Sequence, residues 1–370
     1  MISKKDLEEV KNRDFLKRVD HYNDLNNIGT KLVYGKHYNG EVFLNIILPV
    51  YDHPKEFIER AIDSALRQKC IFLYQIIVID DYPSDEPTTT EQYIRELNDS
   101  RVIYYKNETN MGVFGNWNRA ILLARSKWVC FLHSDDFFRD NYLQNMYDII
   151  QTHPQIDQLA CTYKKLDFLH DNINIKKERA GFSCKSILRK VKYTEYLYEM
   201  KTSVKGAFYQ KDKLVEIGGF RSQGDGIGLD DYPLMMRYAY YYNTYLVECD
   251  LYLNSWAYND SLNTKHWYPE LVENYYMWLY FANKERKFVK FFYKYTAKYL
   301  LLERAKLYQS GRSWVGVPIE IDFKQLEKDC QLNNIRINRV LEAVSFGVVF
   351  VLQKYRNRIE NKEIVSIKKD

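Results

Sequence analysis

Apolar runs that alternate with helix-like segments limit the folds open to this chain more than any other feature. The clearest run, Tyr74-Gln-Ile-Ile-Val-Ile-Asp80, is almost continuously apolar, which is typical of a strand with both faces covered. Similar runs at 43–50 and 127–133 are separated by helical patterns, among them 116–124 and 141–152. This alternation predicts an α/β fold with a mostly parallel sheet flanked by helices.

Composition narrows the class of protein. The chain has 370 residues, a formal charge of +5 and 46% apolar residues, values typical of a globular protein with one large or two modest domains. So small a charge does not indicate a nucleic-acid partner. The six cysteines are scattered without a C-x-x-C pair, the start lacks the apolar core of a signal peptide, and no run approaches the roughly 20 apolar residues of a membrane span. We therefore expect a cytoplasmic protein.

Polar residues follow the apolar runs at points that should meet on one edge of the sheet. Ligands bind at that edge in α/β proteins, outside the carboxyl ends of the strands. An isolated Asp-Asp pair is more typical of a helix N-cap or a turn, so an acidic pair gains meaning only from its neighbours. The four segments are Ile46-Ile-Leu-Pro-Val-Tyr-Asp52, Ile77-Val-Ile-Asp-Asp81, the turn Asn110-x-Gly112 with Asn116 and Asn118, and Leu132-His-Ser-Asp-Asp136.

In these four segments the chain resembles the family 2 glycosyltransferases of the GT-A fold, over about residues 43–260. The family pattern is a strand with P-V-Y-N, a strand with V-D-D-G-S-x-D, then N-x-G followed by N, then L-D-x-D-D. Residues 206–220 also resemble its segment that ends in G-G-F. The resemblance implies transfer of a sugar from a nucleotide-diphospho-sugar, first of all a UDP-sugar, to a saccharide or lipid-linked acceptor in surface polysaccharide or glycoconjugate synthesis. Because the Q-x-x-R-W motif of processive members is missing, transfer of a single sugar is expected.

The resemblance assigns roles in the donor-binding half of the domain. Asp81 would hold ribose hydroxyls, because charge-assisted hydrogen bonds are short and strong. The pattern at Tyr51 fits an aromatic residue of the core equally well. Asp80 also fits a structural role, in which its side chain hydrogen-bonds the adjacent turn. The residues expected at the nucleotide-sugar site are Pro49, Val50, Tyr51, Asp81, Asn110, Gly112, Asn118 and Asp135.

The resemblance makes Asp136 the direct ligand of Mn²⁺ or Mg²⁺, with Asp135 contacting the ribose or orienting the site. A divalent cation would stabilise the charge that develops on the diphosphate leaving group, and oxygen ligands select hard cations. The sequence departs from the family at His133, where an acid is usual. His133 is itself a candidate contact, although a buried histidine with satisfied hydrogen bonds is the commoner case, and His266 is a weaker candidate ligand.

A second acidic pair, Asp230-Asp231, opens an aromatic helical segment that resembles the family's E-D-x-x-x-x-x-R. In the family the second acid deprotonates the acceptor hydroxyl, so the resemblance makes Asp231 the general base of a single inverting displacement. Without the upstream segments, a helix N-cap would be the better interpretation. Arg237 is expected to brace this helix.

We expect a polar helical arm at 1–40, a GT-A domain at 41–265 and a helical region at 266–370. Within the domain, 41–163 would bind the nucleotide-sugar and 164–265 would face the acceptor, although 164–205 carries no motif. The apolar stretch 340–353 and its basic end are typical of a helix at the inner face of an anionic membrane, and slightly more typical of a packed terminal helix. The aromatic helices before it are compatible with an oligomer.

Two other functions fit parts of the pattern. A catalytically silent subunit of the same fold, acting as a partner or scaffold, is the main alternative. A sugar-nucleotide pyrophosphorylase also needs nucleotide and metal, but no G-x-G-x-R loop lies near the first strand.

Overall fold

The computed structural model of the chain describes residues 2–197, 202–221, 231–256, 267–285, 287–313, 317–332, 339–358 and 362–369. Its strands are β1 (Thr30–Tyr34), β2 (Leu44–Val50), β3 (Tyr74–Asp80), β4 (Val102–Asn107), β5 (Trp128–Phe131), β6 (Phe137–Phe138), β7 (Gln158–Asp167), β8 (Cys184–Val191), β9 (Ala207–Gln210), β10 (Thr244–Trp256) and β11 (Lys362–Ile367). Its helices are α1 (Lys4–Asn12), α2 (Lys55–Leu66), α3 (Thr89–Leu97), α4 (Gly112–Leu123), α5 (Tyr142–Thr152), α6 (Ile175–Arg179), α7 (Lys211–Glu216), α8 (Asp231–Tyr241), α9 (Trp267–Lys284), α10 (Lys287–Gln309), α11 (Phe323–Asp329) and α12 (Arg339–Arg358).

These strands form one mixed sheet in the order β1-β4-β3-β2-β5-β9-β7-β10-β8-β11, with β6 paired to β10. The strands β4, β3, β2 and β5 are parallel, as the alternation predicted. β7 and β10 are parallel as well, but β9 joins the two halves through antiparallel pairs and both edges are antiparallel. The α/β architecture with flanking helices is confirmed, whereas mostly parallel pairing holds only in the N-terminal half. Among the described residues, only short helices lie between β7 and β8 and between β8 and β9. Parallel neighbours usually need a longer crossover connection, so antiparallel pairing is favoured in this half.

Both faces of the central strands are buried, which explains the lack of polar alternation in their sequences. On β3, Ile76 and Val78 pack into a core with α2 and α5, whereas Ile77 and Ile79 pack into a second core with α4 and α9. Successive side chains of a strand point to opposite faces, so each face needs its own layer of helices. Because β2 pairs in parallel with β3 and β5, the carboxyl ends of these three strands lie at the same edge of the sheet.

The N-terminal segment is part of the core, and the prediction of a polar helical arm at 1–40 needs correction. Val10, Phe15 and Leu16 are almost fully buried in the core that contains α9. Arg13 forms an ion pair with Glu273 of α9, and residues 30–34 form the edge strand β1. The few apolar residues of this segment are surrounded by charged ones, so its average composition indicated a solvated arm.

The C-terminal region is helical as predicted through α12, but the chain then returns to the sheet as β11, which pairs with β8. Val365 and Ile367 point into the core while Ile364 is exposed, a period-two pattern that predicts a strand and not the helix expected up to the end. Among the described helices, none combines the length and apolarity needed to cross a bilayer. The predicted boundary at residue 265 lies outside the described residues, and the division into domains stays a prediction.

Candidate functional site

The carboxyl ends of β2 and β3 lie side by side and present a pair of tyrosines. The N–H of Asp81 donates to the carbonyl oxygen of Val50 at 3.1 Å, which ties the two strand ends together. Tyr51 is 45% exposed, and its ring meets that of Tyr82 edge-on with 5.4 Å between centroids. Val50 is buried and Pro49 partly buried within β2. Tyr51 is therefore the member of this predicted trio that a planar ligand can reach, and Tyr82 is a neighbour that sequence analysis missed.

Asp81 is a buried carboxylate held by the turn that follows β4. Its Oδ1 accepts from the side-chain amide of Asn107 at 2.8 Å and from the N–H of Met111 at 2.9 Å. Asn110 shapes that turn by accepting from the N–H of Gly112 at 2.7 Å, and Gly112 has a φ of +71°, which glycine adopts without strain. Burial raises the pKa of Asp81 to about 6, although its hydrogen bonds act to lower it. The structure thus brings together Asp81, Asn110 and Gly112.

Asn118 is fully buried and braces the Gly-Gly-Phe segment. Its side-chain amide donates to the carbonyl oxygen of Phe220 at 2.6 Å, and its Oδ1 accepts from the N–H of Phe220 at 2.9 Å. Gly219 permits this approach, because its φ is +71° and an added Cβ would lie 2.5 Å from Oδ1 of Asn118. We therefore reassign Asn118 from the nucleotide-sugar site to this structural contact.

We expect Asn118→Ala to lower the free energy of unfolding by about 2–4 kcal/mol, because it leaves two buried backbone groups of Phe220 without partners. Urea unfolding at constant pH measures the change. Asn26→Ala is the matched control, since the amide of Asn26 makes an exposed contact with Asn23. A loss below about 1 kcal/mol for Asn118→Ala would contradict the bracing role.

The loop after β5 is joined to the neighbouring strand ends and to α2. Ser134 Oγ lies 3.1 Å from His53 Nδ1, and the same nitrogen lies 3.3 Å from a backbone N–H at the end of β2. On the other side, Arg60 of α2 donates to the carbonyl oxygen of Asp135 at 2.7 Å and to Ser255 of β10 at 3.2 Å. These contacts bring the ends of β2, β5 and β10 together, so the tyrosine pair and the acidic pair border one site.

Asp136, predicted to be the direct metal ligand, is fully buried and its carboxylate is already occupied. Its Oδ1 accepts from the side-chain amide of Asn254 at 2.9 Å and from the N–H of Ser255 at 2.7 Å. Its Oδ2 accepts from the hydroxyl of Tyr252 at 2.9 Å and lies 3.3 Å from Lys205 Nζ. A carboxylate offers about four lone-pair directions, and four donors use them. We therefore reassign Asp136 to anchoring β10 and Lys205 to this loop.

The less occupied ligand atoms belong to Asp135, whose carboxylate accepts from the N–H of its own residue, and to His133. Among the described residues, no other side chain donates to the carboxylate of Asp135, and the buried Nε2 of His133 has no hydrogen-bond partner. Burial, with the charge of Lys205, lowers the pKa of His133 to about 3, so its imidazole is neutral. Burial, with the charge of Asp136, raises the pKa of Asp135.

A divalent cation fits this group from the side of His133 and Asp135. Ligand atoms of His133, Asp135 and Asp136 lie within 4.8 Å of one another. A neutral imidazole beside a carboxylate suits Mn²⁺, whereas Mg²⁺ prefers oxygen ligands alone. The ammonium of Lys205 opposes a second cation on the Asp136 side. The weaker candidate, His266, lies outside the described residues.

Lys205 and Tyr252 complete the site and were missed by sequence analysis. Gly206 has a φ of +65°, and an added Cβ would lie 2.4 Å from the ring of Tyr252, so glycine lets that ring reach Asp136. Burial alone would lower the pKa of the Lys205 ammonium, but the carboxylates of Asp136 and Asp135 outweigh burial and raise it. Lys205 ends the stretch 164–205, for which no motif was found, and only the fold brings it to the acidic pair.

Asp231 begins α8, and Asp230 lies outside the described residues. The Oδ1 of Asp231 accepts from the N–H of Tyr232 at 2.8 Å. Its charge also acts on Glu270, in the first turn of α9: burial and the charge of Asp231 raise the pKa of Glu270 to about 8. Glu270 was missed because it follows the region of resemblance. Arg237 donates to the carbonyl oxygen of Gly219 at 3.1 Å, a bracing contact of α8.

Comparison with known sequences identifies similar proteins over part of the chain. Residues 45–216 match the family model described as Glycosyl transferase family 2. WfaP of Escherichia coli, a UDP-Glc:alpha-D-GlcNAc-diphosphoundecaprenol beta-1,3-glucosyltransferase, is 29% identical over 126 residues, 34% of this chain and 48% of that protein. The glycosyltransferase MJ1057 of Methanocaldococcus jannaschii is 28% identical over 137 residues, 36% and 45% of the two chains. The amylovoran biosynthesis glycosyltransferase AmsB of Erwinia amylovora is 25% identical over 138 residues, 37% and 45%. The chain spans about half the length of these curated relatives.

Comparison with solved structures identifies chains of similar fold. The crystal structure of S. aureus TarS 1-349 in complex with UDP-GlcNAc superposes with a TM-score of 0.51 at 15% identity, covering 74% of this chain and 77% of that one. The same fragment without a named ligand also gives 0.51, covering 85% and 91%. At this identity the similarity shows a shared fold.

Proposed function

We propose that this chain, whose residues 45–216 match the family 2 glycosyltransferase model and whose fold resembles that of TarS 1-349, is an inverting, metal-dependent glycosyltransferase of the GT-A fold. It would transfer one hexose-type sugar from a nucleotide-diphospho-sugar, first of all a UDP-sugar, to a saccharide or lipid-linked saccharide in polysaccharide synthesis. One observation carries this proposal. The loops after β2, β3 and β5 bring an exposed tyrosine, a buried carboxylate and a His–Asp group to one sheet edge.

The donor would be held at the ends of β2 and β3. Tyr51 and Tyr82 offer aromatic faces to a nucleobase, and stacking on aromatic rings tolerates any base. The carboxylate of Asp81 would accept from ribose hydroxyls, for which its fixed position at the strand end is suited. The UDP-Glc donor named for WfaP makes UDP-sugars the first choice.

The diphosphate would lie against the loop after β5. His133 and Asp135 would bind Mn²⁺, preferred over Mg²⁺ because one ligand is a nitrogen. When bound, the ion would offset the charge that develops on the leaving diphosphate. Lys205 adds a fixed positive charge beside the same loop, and Asp136 holds it there.

The acceptor side would be formed by α8 and α9. Asp231 would take the proton of the acceptor hydroxyl while its oxygen attacks the anomeric carbon from the face opposite the diphosphate, which inverts the configuration. Because burial and the charge of Asp231 raise the pKa of Glu270 to about 8, the negative charge of the pair would lie on Asp231.

A panel of UDP-, GDP- and dTDP-sugars with Mn²⁺ or Mg²⁺ tests the proposal. The assay measures nucleoside diphosphate release with saccharide acceptors, and NMR of the product gives its anomeric configuration. We expect release with one nucleotide class, stimulation by Mn²⁺ and an inverted product. A retained configuration would contradict the inverting mechanism. Absence of both nucleotide binding heat and release would instead favour a silent GT-A subunit.

Nucleotide binding is expected to depend on pH through Asp81. Its raised pKa of about 6 means that the carboxylate gains a proton as pH falls through 6, so affinity for UDP should be full above that pH and fall by up to about tenfold per unit below it. Titration calorimetry from pH 5 to 8 without metal measures this change. Asp81→Asn should bind more weakly and lose this component of the profile. Identical profiles for both proteins would exclude Asp81 as the ribose contact.

The cellular setting follows from the same proposal. The six cysteines are free thiols, four of them buried, a pattern typical of a reducing compartment. We therefore place the reaction in the cytoplasm, where a lipid-linked acceptor would bring the protein to the inner face of the membrane.

A further inference from the structure

The last long helix, α12, has most of its large exposed side chains among its valines and phenylalanines. Val340, Val344 and Val351 recur at the spacing of one helical face and are 73%, 51% and 63% exposed. Buried positions of the same helix are occupied by Glu342 and Ser345, together with Val349. An ordinary surface helix shows the opposite arrangement, so the exposed face requires an explanation.

A buried ion pair fixes this orientation. Nζ of Lys298, on α10, lies 3.5 Å from Oε1 of Glu342, and both side chains are almost completely buried. Rotating α12 to cover its valines would move Glu342 away from a buried ammonium, and a buried charge that loses its partner is strongly unfavourable. The apolar face therefore stays outward.

Aromatic residues extend this surface onto α10. Phe346 and Phe350 are exposed on α12, and the ring of Phe346 lies 5.6 Å from that of Tyr299 on α10. One turn and two turns earlier on α10 are Tyr295 and the exposed Phe291, whose rings are 4.7 Å apart. We call this surface the α10–α12 face, represented by Phe291, Val340, Val344, Phe346, Phe350 and Val351.

Positive charge is concentrated on the same two helices. α10 and α12 contain ten Lys or Arg and two Glu, a larger net charge than the +5 of the whole chain. Lys287, Lys290 and Lys294 share the side of α10 that carries Phe291. An anionic partner would be attracted to this region, whereas two copies meeting here would bring like charges together.

We propose that the α10–α12 face docks on an anionic lipid bilayer, with α12 in the plane of the headgroups. Its valines and phenylalanines enter the boundary of the acyl chains, and the basic residues contact the headgroups. Rings of this kind are enriched at the membrane–water interface. The inference concerns attachment of the protein and does not depend on sugar transfer.

Vesicle flotation of the full chain tests it, without donor or acceptor. We expect binding to phosphatidylcholine vesicles that contain phosphatidylglycerol and about tenfold less to phosphatidylcholine alone. Val344→Glu with Val351→Glu should reduce binding to the level of neutral vesicles, and Lys287→Glu with Lys290→Glu should weaken only the anionic-lipid component. Ile71→Glu with Leu73→Glu is the matched control, because these residues are also exposed but lie elsewhere. It should bind like the unsubstituted protein.

Circular dichroism melting confirms that each variant is folded. Failure of the unsubstituted protein to float with anionic vesicles would overturn the proposal, and so would unchanged flotation of the Val344/Val351 variant. A dimer in size-exclusion chromatography that this variant dissociates, with vesicle binding unaltered, would identify the face as an interface between copies and also overturn it.

Discussion

Asp231→Asn is expected to bind the nucleotide donor normally and to lower kcat for sugar transfer by a factor of about 10²–10⁴. Asparagine keeps the size of Asp231 and can still accept from the N–H of Tyr232 at the start of α8, but it cannot take a proton from the acceptor. Nucleotide release under saturating acceptor measures kcat, and titration calorimetry with the donor measures binding.

Glu270→Gln is the matched control for this prediction. Burial and the charge of Asp231 raise the pKa of Glu270 to about 8, so glutamine should reproduce its protonated form and leave most of the transfer activity. Transfer by Asp231→Asn within about tenfold of the unsubstituted rate would exclude Asp231 as the general base. Loss of activity in both variants, with donor binding intact, would indicate that Glu270 takes part in proton transfer.

Substitution of the two adjacent acids is expected to separate stability from metal binding. Asp136→Ala removes the partner of the partly buried Lys205 and of three further donors, and should lower the free energy of unfolding by about 3–5 kcal/mol. Asp135→Asn removes a carboxylate whose pKa is already raised. It should change stability by about 0.5 kcal/mol or less and reduce Mn²⁺-dependent affinity for UDP by about 100-fold.

Denaturant unfolding and calorimetry with UDP, each with and without Mn²⁺, measure both effects. Lys205→Met is the control for the first, because Asp136→Ala should cost much less in a protein that lacks this ammonium. If Asp136→Ala unfolds like the unsubstituted protein and loses Mn²⁺-dependent binding, the ligand is Asp136, as the sequence motif predicted, and not Asp135.

The parts of the fold that the sequence predicted depend on local patterns. The apolar run of β3 indicated a strand covered on both faces because its residues fill two cores. Burial of Phe15 and the edge strand β1 were missed, since their partners on α9 and β4 are far away in the chain. The strand β11 was missed although Val365 and Ile367 alternate correctly, because the preceding helix dominated the pattern.

Some residues of the candidate site were likewise predicted from local motifs, and others were found only in the folded chain. Tyr51 and Asp81 follow directly after strands and Asp135 lies in the loop after β5, so the motifs located them together with the strand ends. Lys205 has no motif, and only the folded chain brings it to Asp136. Glu270 has no motif either, and folding places it beside Asp231. Sequence spacing also placed Asn118 in the site, whereas its amide is used by the backbone of Phe220.

The sequence by itself determined the α/β class and the sheet edge at which Tyr51 and the acids gather, because strand ends and motif spacing are local properties. The tertiary structure decided which of two adjacent acids is free to bind a ligand. Asp136 is saturated by donors such as Tyr252, 116 residues further along the chain, and Asp135 is not. Burial and hydrogen-bond saturation depend on residues that meet only after folding, so no spacing within the motif distinguishes the two carboxylates.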